Sequence, residues 1–136
     1  MENLEYLLEK FGFVKQTRVD NDFRRIENFI GFQLPDDYKY YLNNYKPFED
    51  FVGEQYIALY TVADLVALNN LNALLSNTIA IGSDGASETI GISFLETSNY
   101  KIVMAQYIQN VDDYIEIGTS FTDMLKRLDE GLKWFN

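Results

Sequence analysis

Leu4, Leu7, Leu8 and Phe11 recur at three- and four-residue intervals, which predicts an amphipathic helix over residues 2–11 that Gly12 ends. A second helix is predicted to start near Asp20 or Asn21, either of which can serve as N-cap, with Phe23, Ile26, Phe29 and Ile30 as its apolar stripe and Gly31 just past its end. Pro35 suits the first position of a third helix, because its missing N–H would have no partner there. Asp36 and Asp37 follow in the first turn, where negative charge suits the helix dipole, and Tyr38, Tyr41, Leu42 and Tyr45 share one face. Tyr40 falls off that face.

After Pro47 the period changes. Residues 51–59 read as one or two short strands through Val52, Tyr56, Ile57 and Leu59. Thr61 and Asp64 have the spacing of a capping box and open a helix through Val62, Leu65, Val66 and Leu68. Asn69–Asn77 is either a second short helix or a loop. The remainder alternates strands with turns: Thr78–Gly82, a turn over Ser83–Ser87, a strand through Thr89, Ile90, Ile92 and Phe94, a turn over Thr97–Asn99, a strand over Lys101–Tyr107, and one more over Tyr114–Ile117. Thr119 or Ser120 caps a last helix that turns Phe121, Met124, Leu125 and Leu128 inward. Helices, then closely spaced strands, then a helix predict the α+β class: an antiparallel β-sheet meander with α-helices packed on one face or edge.

The chain has 136 residues with two prolines, no repeat and no Gly/Ser linker, so one domain over residues 1–136 is the economical reading. At 47% hydrophobic residues it can build a core without disulfides or metals. The acidic N-terminal residues are unlike a signal peptide, and no apolar run approaches the ~20 residues a membrane span needs. A cytoplasmic protein is expected.

Charge changes the picture more. Residues 48–124 contain eleven acids and one base, Lys101, so the whole net charge of −10 lies in that stretch. Such a surface repels nucleic acid and anionic membranes, and attracts a basic protein. Plain solubility is the ordinary explanation of acidity on its own.

Histidine and cysteine are both absent. The commonest general base, the commonest metal ligand and every thiol nucleophile go with them. No catalytic residue, metal site or cofactor is expected. Carboxylates remain, Asp84 with Glu88 and Asp112 with Asp113 and Glu116, but nothing in their spacing marks a catalytic pair. Ser83-Asp-Gly-Ala-Ser-Glu88 lacks both the full calcium-loop ligand series and the P-loop lysine. It reads best as a tight turn in which Gly85 takes positive φ and Asp84 caps.

Three segments in order resemble the SUKH superfamily, whose members are similar to the Smi/Knr cell-wall regulator of yeast. Ile26–Tyr45 carries the Leu-Pro-x-Asp-Tyr run between two helices, with Gly31, Leu34, Pro35, Asp37, Tyr38 and Leu42 in the matching places. Ile81–Ile92 resembles the Gly-rich hairpin, with Gly82 and Gly85, and Ile117–Leu125 the closing Ser-Phe helix. The chain departs from the pattern at Asn44-Tyr45-Lys46-Pro47, where an Asn-Gly-Gly turn is usual, and at Ala86-Ser87 in the hairpin. The motif reads as structural: Gly31 ends a helix, Leu34 plugs the core, Pro35 starts the next helix and Asp37 supports its first turn.

The resemblance implies a bacterial immunity protein that binds and neutralises a cognate toxin, often a nuclease, by stoichiometric contact. The alternatives are a regulatory scaffold that binds cellular proteins, and an enzyme or small-ligand binder using the hairpin carboxylates. The partner expected is a basic toxin protein. Asp84, Glu88, Asp112, Asp113 and Glu116 are the candidate contacts, with Glu49, Asp50 and Glu54 as a second patch. Oligomeric state is left open.

Overall fold

Three helices come first: α1 (Glu2–Lys10), α2 (Arg24–Ile30) and α3 (Asp36–Asn44). The hairpin β1 (Glu49–Val52) and β2 (Gln55–Leu59) follows, then α4 (Val62–Leu71). Strands β3 (Thr78–Ser83), β4 (Glu88–Glu96), β5 (Asn99–Gln106) and β6 (Ile115–Gly118) lead to α5 (Phe121–Asp129). The computed structural model describes residues 2–71, 77–86, 88–96, 99–106 and 114–131. Thr97 and Ser98 of the expected turn and much of the Asn69–Asn77 segment lie outside these; Asn99 already belongs to β5, and α4 runs on to Leu71.

The six strands form one antiparallel sheet in sequence order, the meander anticipated from the turns. Register shifts at Ala80/Gly82, Phe94/Glu96 and Ile102/Val103 bend the strands. The sheet curls, so that α5 touches both end strands, β6 and β1. Ile57, Ile79, Ile81, Ile90, Ile92, Ile102 and Met104 are buried on the sheet, and α5 supplies Phe121, Met124, Leu125 and Leu128 to the same core. A Cβ on Gly118 would lie 2.9 Å or less from Met124 backbone atoms, so only glycine lets β6 approach α5 this closely.

Aromatic rings join the helices. Phe13 stacks on Phe48 at 3.7 Å and meets Tyr41 edge-on at 5.5 Å, while Phe121 contacts Tyr38 and Tyr41. Tyr38, Tyr41, Leu42 and Tyr45 are all buried, as their spacing requires. Burial pushes the Tyr38 hydroxyl well above its ordinary pKa, with neighbouring Tyr41 adding to the shift, and that hydroxyl has no hydrogen-bond partner among the described residues.

Four local expectations change. Helix α2 begins at Arg24 after Phe23, with no side-chain cap. Asn21 is drawn away, its amide donating to Asn43 Oδ1 at 2.8 Å, and Asp22 instead accepts from the Arg24 N–H at 3.0 Å. Phe29 is 48% exposed, because only Ile26 of this short helix is fully turned into the core. Pro35 is the residue before α3, not its first helical one, and the first strand begins at Glu49.

The Thr61–Asp64 capping box forms, and Ser120 is the cap of the last helix. Asp64 N–H donates to Thr61 Oγ1 at 3.1 Å and Thr61 N–H returns to Asp64 Oδ2 at 3.3 Å. Ser120 accepts from Asp123 N–H at 2.9 Å, and Thr119 N–H donates to Asp123 Oδ2 at 2.9 Å. Burial raises the Asp123 pKa, but the Thr119 N–H and hydroxyl, with Arg127, outweigh it and hold the carboxyl below its ordinary 3.8. A depressed native pKa stabilises the fold above the unfolded value and is lost as pH falls through the native one. Asp123→Asn is therefore expected to be less stable than the parent at neutral pH and to converge with it below the ordinary carboxylate range. Thermal midpoints measured across that range check this; a constant gap would refute it.

Candidate partner-binding surface

The motif residues are placed by hydrogen bonds that cross the fold. Gly31 takes a left-handed conformation (φ 80°) and its N–H donates to Glu27 O at 2.9 Å, ending α2. Leu34 is buried, and its N–H donates to Glu27 Oε2 at 2.6 Å, while Lys39 Nζ meets the same oxygen at 2.9 Å. Asp37 does more than support its own turn. Its Oδ1 accepts from Tyr38 N–H, and its Oδ2 accepts from the N–H and hydroxyl of Thr122 at 2.9 and 2.8 Å. The α3 motif thereby docks the start of α5. Tyr40, outside the buried stripe, gives its hydroxyl to Glu5 of α1.

Register brings part of the acidic set together. Glu49 pairs with Ala58, Ala58 with Ser83, Ser83 with Thr89, and Thr89 with Ala105. These residues form one row across the sheet near one end. Asp84 lies just past Ser83 and Glu88 just before Thr89, so Glu49, Asp84 and Glu88 share that end. Within the turn, Asp84 Oδ1 accepts from Ala86 N–H at 2.9 Å and Glu88 N–H at 3.3 Å, the capping role its position suggested.

The other candidates are elsewhere. Asp50 sits one residue along β1 and is exposed. Glu54 lies at the far end of the β1–β2 hairpin, lining a cleft of about 370 Å³ with Gly53, Leu128 and Asp129. Glu116 on β6 is held between Lys101 Nζ at 3.5 Å and Arg127 Nη1 at 3.3 Å, which offsets its charge. Asp112 and Asp113 lie outside the described residues.

Two aromatic residues enter this surface that charge alone did not single out. Phe51 pairs with Tyr56 across β1 and β2, their rings meeting edge-on at 5.3 Å, and Phe51 is 58% exposed. Tyr56 gives its hydroxyl to Glu49 Oε2 and covers Gly85. That hydrogen bond, then burial and the charges of Glu49 and Asp50, raise the Tyr56 pKa. The alternation of Glu-Asp-Phe-Val against Gln-Tyr-Ile-Ala-Leu would have set Phe51 opposite Tyr56 had the hairpin turn at Gly53-Glu54 been read from the sequence.

Gly85 (φ 83°) has no room for a Cβ, which would fall 2.7 Å from Tyr56 Cδ2. Gly82 is equally constrained, its Cβ falling 2.5 Å from Ala58 O. Gly85→Ala is expected to cost about 1–2 kcal/mol from the left-handed backbone and to turn the Tyr56 ring away. Absorbance titration should then show the Tyr56 phenol ionising at lower pH than in the parent; an unmoved titration would mean the ring does not depend on the turn.

Among the described residues, no helix is long and apolar enough to cross a membrane, and no group of three or more Asp and Glu is arranged to hold a metal ion. The arrangement is a charged, partly aromatic surface on an antiparallel sheet. The model of the SMI1 / KNR4 family (SUKH-1) matches residues 20–127. The chain belongs to this family. No curated protein matches the chain. The SUKH-1 match begins ahead of α2 and runs through most of α5, so it contains the Asp37–Thr122 link and the whole sheet and leaves out α1. The resemblance drawn from three short segments thus holds over the body of the fold.

Proposed function

We propose that this SUKH-1 protein is an immunity protein of the cytoplasm, which binds a basic toxin stoichiometrically and neutralises it without catalysing a reaction. The observation that carries the reading is the gathering of Glu49, Asp84 and Glu88 at one end of the sheet, beside exposed Phe51 and half-buried Tyr56. Between Pro47 and Lys101 no base interrupts the acids. A toxin that cleaves nucleic acid presents a basic surface to its substrate, and an acidic inhibitor occupies it while gaining a steered association rate. The family membership supports the class of function; the absence of imidazole and thiol from the whole sequence agrees with action by binding.

The test is co-expression with the product of the adjacent gene, scored by growth rescue and by co-purification. Rescue with an equimolar complex is expected. Absence of both would sink the immunity reading, and recovery of a complex with a non-toxic cellular protein would favour a regulatory scaffold.

A further inference from the structure

We infer that the open edge of β1 is a docking strand for an extended basic segment of the partner protein, which adds to the sheet as a seventh strand. The surface rests on the geometry below; that the partner is a toxin rests on the proposed function.

Strand β1 ends the sheet, with β2 on one side and no further strand paired on the other among the described residues. It is pinned at both ends. Phe48 is stacked on Phe13, and Val52 is buried beside Gly53, which lies close to Leu128 O of α5. Between those anchors Glu49, Asp50 and Phe51 are exposed in succession, so the strand is open on both faces as well as along its edge.

The backbone phase follows from one bond. Leu59 N–H donates to Phe48 O at 2.9 Å, which makes Phe48 and Leu59 a hydrogen-bonded pair. With period two, Asp50 and Val52 also bond to β2, and Glu49 and Phe51 turn their N–H and C=O groups outward. The Phe51 amide is covered by its own Asp50 Oδ1 at 2.7 Å, a local bond that an incoming carbonyl can replace.

Unpaired edges invite pairing, and proteins blunt them with charge. Here the charge is entirely negative. Two copies meeting antiparallel across this edge would set carboxylates beside carboxylates, which disfavours self-association. A strand with Lys or Arg at alternate positions meets the opposite situation. Its cations reach Glu49 and lie over the Phe51 and Tyr56 rings on the same face, where cation–π attraction adds to the ion pair.

The experiment titrates the full chain with an eight-residue peptide alternating Lys and Val, and follows backbone amide exchange by NMR. Exchange at Glu49 and Phe51 is expected to slow at least tenfold on saturation, with Asp50 and Val52 little changed and a Glu/Val peptide without effect. Phe51→Pro, which removes an outward N–H and spares the β2 ladder, should abolish the slowing. Glu49→Lys with Asp50→Lys provides a second variant, expected to weaken peptide binding at least tenfold with an unchanged circular dichroism spectrum. Protection elsewhere on the sheet, equal binding by a folded double-lysine variant, or concentration-dependent protection without peptide would overturn the inference. Growth rescue that survives those outcomes leaves the immunity reading standing, whereas edge protection without rescue removes that reading alone.

Discussion

Replacing Asp37 with Ala is expected to lower the unfolding free energy by about 3 kcal/mol, at the upper end of the range for hydrogen bonds to a charged group. The carboxylate accepts two bonds from Thr122 at 2.8 and 2.9 Å, and it does so at the N-terminus of α5, where backbone N–H groups lack intrahelical partners. The variant leaves the Thr122 N–H and hydroxyl without this acceptor, in a half-buried place where water substitutes poorly. Asp37→Asn keeps an oxygen but loses the charge, and should recover about half of the loss. Urea denaturation at neutral pH measures both. A change for Asp37→Ala within the roughly 0.5 kcal/mol of an ordinary surface substitution would show that the link does not hold α5.

Reversing the gathered charges should slow association more than it speeds dissociation. Glu49→Lys and Glu88→Lys combined with Asp84→Asn is expected to reduce the association rate with the proposed basic partner roughly 100-fold at low salt, within the span attributed to electrostatic steering. Asp84→Asn keeps the oxygen that caps the β3–β4 turn, so the hairpin should survive. The dependence of the rate on salt should flatten with it, because exposed charges are screened beyond a Debye length. Stopped-flow binding over a range of ionic strength reads both quantities. An unchanged rate with an unchanged salt slope would place the contact on another face of the molecule.

Local patterns were legible where one element determined them. The stripes of α1, α3 and α5, the Thr61–Asp64 capping box, the cap of α5 and the meander follow from spacing and turn chemistry within short windows. Phe29 was misplaced because a seven-residue helix has too few turns to define a face, and Asn21 was misplaced because a distant acceptor, Asn43, competes for it. The long-range role of Asp37 was not legible at all: Thr122 is 85 residues away and nothing local announces it. The candidate acidic surface was half legible. Composition located the charge in the middle of the chain, but only register separates Glu49, Asp84 and Glu88 from Glu54 at the far end of its hairpin and from Glu116 between two cations. Phe51 was passed over because an apolar residue in a strand is ordinarily a core residue, and the exception depends on β1 standing at the margin of the sheet.

Helix α5 touches α1, α3, β1 and β6, and Lys10 of α1 meets Asp129 of α5 at 2.5 Å. The two ends of the described chain are therefore neighbours in space, and the packing of the first helix on the last can form only after residue 129 has been synthesised. That closure joins segments more than a hundred residues apart, a contact of high sequence separation that forms late and slows the completion of the fold.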